Sequence, residues 1–353
     1  MKIAFLAESM AAFHAASLEE APLGGMETAV IRLAEALHED GHQVTVFSNL
    51  DNPPLSKPLY LPKRSLHHLG EVDALISVRE WRPCFYPLQA KKVFYWTGDS
   101  YDLQQNFGIG DRRVAAKIDK LLAVSSWHAE MLCQKSGFPK DKTYVLRNGV
   151  HMPFFKKEEI RERKRLIYSS TPYRGLKFLP FVFKALKDKH PELTLHVFSD
   201  YKVYGEQANQ AYAPLIEEYN VIKQELEKIE GCFVHGNVTQ EQLAKEMMRS
   251  SILAYPNTFE ETSCITVMEA QAAGCAVITS KLGALPETVG DAGVLIDKAA
   301  GSQEYLQAFI NELDRLLSDD THFESLSKKA IKRAEDYCWR KIAGKFTREI
   351  LNA

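Results

Sequence analysis

Glu261-Thr262-Ser263-Cys264-Ile265-Thr266-Val267-Met268-Glu269-Ala270-Gln271-Ala272-Ala273-Gly274 places two carboxylates eight residues apart where a strand should pass into a helix. The apolar run Ile252-Leu253-Ala254-Tyr255-Pro256 precedes the first carboxylate, and small residues ending at a glycine follow the second. A helix N-terminus carries unpaired N–H groups and partial positive charge, so anions settle there. Ser263, Cys264 and Ile265 lead into such a terminus. A carboxylate accepts from two hydroxyls at once, as a ribose diol requires. Sugar on one Glu, phosphate on the turn and ribose on the other Glu would suit a nucleotide-sugar. Taken alone, two Glu in a chain this charged would be a helix cap and a solvated helix residue.

They do not stand alone. The stretch resembles the E-x7-E signature of retaining glycosyltransferases of family 4, which have the GT-B fold. Residues 269–279, EAQAAGCAVIT, resemble that family's EAMA-x-G-x-PVV run. Gly283-Ala284-Leu285-Pro286-Glu287 is similar to its G-x-x-E segment, and residues 291–296 to its G-x-L-V segment. Weaker similarities occur at Gly24-Gly25-Met26-Glu27 and Asn148-Gly149-Val150. The resemblance implies an α/β chain of two Rossmann-like, doubly wound parallel-sheet domains facing each other across a cleft. The expected division is an acceptor-side domain over 1–155, a nucleotide-sugar donor domain over 156–335, and a helix over 336–353 crossing back to the first domain.

The chain has 353 residues, enough for two cores, and is 45% hydrophobic and 25% charged, as an ordinary globular protein is. A net charge of −2 argues against a general nucleic-acid binder. Its six cysteines lack C-x-x-C or zinc spacing and read as free thiols of a reducing, cytoplasmic compartment. Residues 1–7 are too short for a signal segment, Glu8 interrupts them, and they read as a buried strand. No apolar run approaches the roughly 18 residues of a membrane span, which leaves only peripheral contact with the inner face of a membrane open.

Strand and helix signals alternate, as in parallel doubly wound sheets. Strands are expected at 3–7, 43–48, 74–78, 92–95, 120–125 and 144–146, with helices at 26–40 and 127–136 and, at 51–69, a Pro-rich loop with room for one short strand. The pattern restarts after a charged linker at 161–165. Strands are then expected at 166–169, 193–198, 232–235, 252–255 and 276–280. Helices are expected at 176–190, 208–228, 240–250 and 303–317, and one long helix runs from 323 to about 353.

The resemblance distributes roles. Glu261 would meet donor sugar hydroxyls, Glu269 the ribose, and Thr262, Ser263, Cys264 and Ile265 the phosphates. Thr262-Ser263-Cys264 replaces the family's Gly-Phe-Gly, and the Cys264 side chain would crowd the sugar; no His neighbours it in sequence to make it a nucleophile. Arg174-Gly175 matches the usual Lys-Gly of the phosphate loop, whereas the usual upstream Arg, near Tyr168, is missing. Arg174, assisted by Lys177, is therefore expected to hold the leaving diphosphate. Gly24 and Gly25 open a helix terminus towards the donor or acceptor. His235 and Gly236 end a strand where relatives offer backbone to the base. Asp99 stands near the family's usual reaction-centre His, with acceptor contact or helix capping as its roles, and His14 is a further candidate in the first loop.

The expected activity is retaining transfer of a sugar from a nucleotide-sugar, such as a UDP- or GDP-sugar, to a glycan, lipid-linked or small-molecule hydroxyl. No cofactor is expected. No D-x-D is placed to hold a metal, so a metal-independent reaction is expected. A sugar-nucleotide epimerase and a non-catalytic GT-B partner subunit are the alternatives. A pyridoxal-phosphate phosphorylase lacks any supporting lysine context. The segment Trp81-Arg82-Pro83-Cys84-Phe85-Tyr86 reads equally as an acceptor contact or a loop anchor.

Overall fold

The computed structural model describes residues 1–157, 159–204 and 212–352. They form two units. The first comprises Met1–Ser17, Gly25–Gly149 and Tyr337–Ala353, and the second Leu18–Gly24 and Val150–Asp336. The division thus falls at Gly149 rather than 155. Residues 18–24, Gly24 among them, group with the second unit rather than the first.

The first unit holds a seven-stranded sheet of order β3-β2-β1-β4-β5-β6-β7. Its strands are β1 (Lys2–Leu6), β2 (Gln43–Ser48), β3 (Leu59–Pro62), β4 (Val72–Val78), β5 (Ala90–Thr97), β6 (Lys120–Ala123) and β7 (Thr143–Val145). All pair in parallel. Strands covered on both faces need apolar residues at successive positions, and Ile3, Ala4, Phe5 and Leu6 are all buried. A short helix, α1 (Ser17–Glu20), precedes α2 (Gly25–Glu39). The apolar stripe of α2 includes Val30, Leu33, Ala34 and Leu37, all buried. Further along lie α3 (Arg112–Lys117) and α4 (Ser126–Ser136). Ser125 caps α4 by accepting from the His128 N–H, and Gly137 closes it in the left-handed region.

The second unit holds a six-stranded parallel sheet of order β10-β9-β8-β11-β12-β13. These are β8 (Glu162–Tyr168), β9 (Thr194–Val197), β10 (Cys232–Val234), β11 (Ser250–Tyr255), β12 (Ala276–Ser280) and β13 (Gly293–Ile296). Its helices are α5 (Leu179–Lys187), α6 (Ala213–Glu227), α7 (Gln240–Arg249), α8 (Ile265–Ala272), α9 (Leu285–Val289), α10 (Gln303–Ser318) and α11 (Asp320–Ala334). One continuous apolar core joins β8, β9, β11 and β12 to α5, α8 and α10. The start of the helix expected at 208 lies outside the described residues.

Two expectations fail. Residues 161–165 are no linker, because β8 begins at Glu162. Arg165 is buried there against Glu162 at 2.9 Å and against Glu246. Arg161 donates to the carbonyls of Ser250, Ala273 and Gly274, so its charge sits at the C-terminal end of α8. The long last helix is broken. After α11 a turn of 3-10 helix (Glu335–Tyr337) leads to the extended Cys338 and then α12 (Trp339–Phe346). The break sinks Tyr337 and Trp339 into the first unit, where α12 packs on α2 and Phe346 meets Phe94 edge-on.

Candidate functional site

In an open parallel sheet, ligands bind beyond the carboxyl ends of the strands where the order reverses. In the second sheet that point lies between β8 and β11. The chain leaves β8 through Ser169–Arg174 and leaves β11 through Pro256–Glu261, so the sequence candidates of two distant segments meet there.

Two glycines permit the meeting. Gly175 has φ +102°, and a Cβ on it would lie 2.0 Å from the Pro256 carbonyl oxygen. Gly283 has φ +59°, and its Cβ would lie 2.6 Å from the Glu261 oxygen. The Ala284 N–H donates to that same oxygen at 2.7 Å. No other residue fits either place without moving the backbone that carries Glu261.

Glu261 is 2% exposed. Arg174 Nη1 donates to both its carboxylate oxygens, at 2.9 and 3.0 Å, and the Tyr255 hydroxyl donates to Oε1 at 2.5 Å. Tyr255 also meets Ser170 at 3.2 Å. The Arg174 guanidinium lies over Phe259, 4.6 Å from the ring centre, and Nε reaches the Tyr173 hydroxyl at 3.4 Å. Its Nη2 has no hydrogen-bond partner among the described residues. Burial would lower the Arg174 pKa, but the Glu261 charge outweighs it, and the pKa stands well above the ordinary value. The guanidinium is thus a permanent cation, anchored on one edge and open on the other.

The first turn of α8 follows directly. Cys264 is its N-cap residue and supplies no side-chain acceptor. The Ser263 hydroxyl is buried without a partner, and Thr266 is bonded to Ser169 from the end of β8. Burial, then the Glu261 charge, pushes the Cys264 thiol pKa well up, so a resting thiolate nucleophile is not available there. Glu269 is buried one helical turn further on, and Gln240 Nε2 donates to its Oε1 at 3.0 Å.

The other candidates are scattered around this centre. Lys177, half-exposed, lies 3.7 Å from Glu218. Tyr168, near the place of the missing Arg, is sealed and donates to the Thr171 carbonyl. His235 stacks on Phe198 at 4.5 Å and meets His196 at 3.0 Å; Gly236 follows at φ +73°. Burial holds both histidines below the ordinary value, His196 at about 3.

In the first unit, Asp99 follows β5 and is gripped by Arg79 through Nε and Nη2, at 2.8 and 3.0 Å. Arg79 has φ 60°, a strained conformation for a non-glycine residue. The Asp99 carbonyl accepts from Asn106 and from His128 Nε2. The Asp99 carboxylate is therefore committed to Arg79. Gly25 opens α2, and the next residue, Met26, packs beside the Asp99 loop: its Sδ is 2.8 Å from where a Cβ of Gly98 would be. The Ala16 N–H donates to His14 Nδ1 at 3.3 Å.

Tyr255, Phe259, Gln240 and Arg79 were missed as site residues. Only Tyr255 carried a sequence signal, a hydroxyl inside a run that must be wholly buried. Among the described residues no three or more His, Cys, Asp or Glu are grouped to hold a metal ion, and no helix is long and apolar enough to cross a membrane.

Two parallel α/β units with this site on the second sheet define a GT-B protein. The family model for glycosyl transferases group 1 matches residues 153–335, just over half of the chain, and the chain belongs to that family. It is 26% identical over 239 residues to the MMP alpha-(1->4)-mannosyltransferase of Mycolicibacterium hassiacum, covering 66% of this chain and 54% of the relative. It is 24% identical over 250 residues to the D-inositol 3-phosphate glycosyltransferase of Streptomyces bingchenggensis, covering 67% and 53%. The chain thus spans about half the length of these curated relatives. The crystal structure of Anabaena Alr3699/HepE in complex with UDP and glucose superposes with a TM-score of 0.74 over 100% of both chains, at 15% identity.

Proposed function

We propose that the protein transfers a sugar from a nucleotide-sugar donor to an acceptor hydroxyl, with retention at the anomeric carbon and without a metal. The observation that carries this reading is the Arg174–Glu261–Tyr255 cluster at the reversal point of the second sheet, beside the uncapped start of α8. Arg174 offers its open edge to the diphosphate, and the α8 N–H groups take further phosphate oxygens. Glu261 fixes Arg174 and keeps one acceptor position for a sugar hydroxyl. Glu269 takes the ribose, and the His235–Gly236 segment lies along the base. The similarity to curated glycosyltransferases and the UDP bound to the Anabaena neighbour support the donor class.

In the step proposed, the bond from the anomeric carbon to the leaving phosphate oxygen breaks and the acceptor oxygen bonds to that carbon on the same face. The acceptor proton passes to the leaving phosphate. Charge grows on the phosphate in the transition state, where a preplaced guanidinium is worth most. The acceptor, a glycan, lipid-linked or small-molecule hydroxyl, is assigned to the first unit in a cytoplasmic enzyme that touches membranes at most peripherally.

The test is calorimetric titration with UDP-, GDP-, ADP- and dTDP-sugars, with Glu269→Ala as control. Micromolar binding of one donor, lost in the variant, is expected. No binding by folded wild-type protein overturns the reading. With the donor known, proton NMR of the product should show the donor's anomeric configuration, and EDTA should leave turnover unchanged.

A further inference from the structure

Residues 81–86 and the loop after β5 share one surface of the first unit. Among the described residues twelve large apolar or aromatic side chains are exposed, and five of them, Phe85, Tyr86, Tyr101, Leu103 and Phe107, fall within residues 85–107. Trp81 joins the two groups. Its ring meets Phe85 edge-on at 5.9 Å, and its Nε1 donates to the Phe107 carbonyl at 2.9 Å. Tyr101, Phe107 and Lys135 line one open recess. The loop that carries them is braced. Asn106, 1% exposed, accepts from the Tyr95 hydroxyl at 2.6 Å and donates to the Asp99 and Ser100 carbonyls at 2.9 and 2.8 Å. A Cβ on Gly110 would lie 1.7 Å from the Ser136 carbonyl oxygen, so the far end of the loop presses on the close of α4. Single exposed apolar side chains are ordinary, whereas a joined group on a braced loop marks a contact surface.

We propose that this surface docks on the headgroup layer of an anionic lipid bilayer. Leu103 and the Phe rings have no hydrogen bond to offer a polar partner, while Trp and Tyr rings settle at the headgroup level of membranes. The rim is cationic. Arg112, Arg113, Lys117 and Lys135 are exposed on α3 and α4, against the exposed carboxylates of Asp102 and Asp111, and Arg82 is matched by Glu80 at 2.6 Å. This local excess of cations is opposite in sign to the net charge of −2 on the whole chain. A second copy would bring the same cations to the same face, so charge favours an anionic bilayer over self-association. The loop starts from Asp99, two residues before Tyr101. Docking would bring lipid headgroups to that end of β5, and of the acceptor classes it favours a hydroxyl carried by a lipid. This last step rests on the assignment of the acceptor to the first unit; the docking itself does not.

The experiment sediments the full chain with vesicles of phosphatidylcholine, alone or with phosphatidylglycerol at about one lipid in three. Wild type should bind the anionic vesicles at least about tenfold more tightly than the neutral ones, and added salt should release it. The double variant Leu103→Ser with Phe107→Ser should weaken this binding about tenfold or more. Arg112→Glu with Arg113→Glu should abolish the preference for phosphatidylglycerol. Phe181→Ser, an exposed ring on α5 in the second unit, should bind as wild type does. All these side chains are exposed, so the thermal midpoints should agree within a few degrees. Wild type left in the supernatant with both vesicles overturns the inference, as does equal binding by wild type and both double variants. Concentration-dependent self-association that Leu103→Ser with Phe107→Ser removes would assign the surface to a second copy and overturn it as well. Vesicle binding by a chain that binds no nucleotide-sugar would uphold the docking and remove the donor reading, so the two fail separately.

Discussion

Glu261 and Arg174 stand 87 positions apart in the chain, yet they pair at the reversal point of the second sheet. A carboxylate 2% exposed is costly to bury without donors around it, and here a guanidinium and a phenol supply them. Removing one partner strands the other. Arg174→Met should destabilise the second unit by about 2–3 kcal/mol, less than a fully buried pair would lose because Arg174 is a quarter exposed. It should also lower kcat by about 100-fold or more. Glu261→Gln keeps an acceptor for both partners, so the double variant should be more stable than the sum of the single losses. Urea denaturation of the four proteins measures this, and additive losses would refute the coupling. His128 offers a second residue-level expectation. It is fully buried, accepts from the Val124 N–H through Nδ1 and donates to the Asp99 carbonyl through Nε2; burial above all lowers its pKa to about 4. Between pH 6.5 and 4 the unfolded chain takes up a proton that the folded one refuses, so stability falls as pH falls through that window. The loss should approach about 3 kcal/mol near pH 4, and His128→Gln should remove most of this slope in acid titrations followed by circular dichroism.

At the level of elements, a strand is legible when burial on both faces demands an unbroken apolar run, and β1 from Ile3 and β11 from Ile252 met that demand. The front half of β8 did not. Its Arg163 and Arg165 are answered by Asp320, Glu162 and Glu246, and two of those partners lie far along the chain. The break before α12 carries no Pro or Gly; burial of Tyr337 and Trp339 causes it, a tertiary demand that local pattern does not record. The two Glu and Arg174 were singled out as candidates because a motif marks them. The Gln240 bond and the Arg79 grip on Asp99 were not, since each joins segments that only the sheet order brings together. The turns that carry the motif have a sharper signature. Gly175→Ala would force a Cβ against the Pro256 carbonyl at φ +102°, and Gly283→Ala would do the same to Glu261. Each should cost at least about 3 kcal/mol and abolish nucleotide binding. Gly41→Ala has φ +89° but open space around its Cβ, so it should cost only about 1 kcal/mol. Equal denaturation midpoints for the three variants would show that backbone conformation, and not close approach, governs these turns.

For the whole molecule, the chain enters the first unit, builds the second, and returns, so the first unit takes in residues 337–353 as well as its sheet. Ile342, Ala343, Phe346 and Leu351 are buried in that return, and Lys92 donates to the carbonyls of Ile350 and Leu351 from β5. The His42 ring bonds to Thr347, and the Tyr144 hydroxyl donates to Glu349. Burying three large apolar side chains contributes about 1.5–3 kcal/mol each, a sum comparable with the whole stability of a domain. Ending the chain at Ala334 should therefore unfold the first unit and leave the second, whose core includes no residue beyond Leu326, folded and able to bind nucleotide. Hydrogen exchange would read this directly, with protection lost over β1–β7 and retained over β8–β13. Retained protection in both sheets would mean that the returning segment is dispensable. Loss in both would mean that the second unit does not stand without the first.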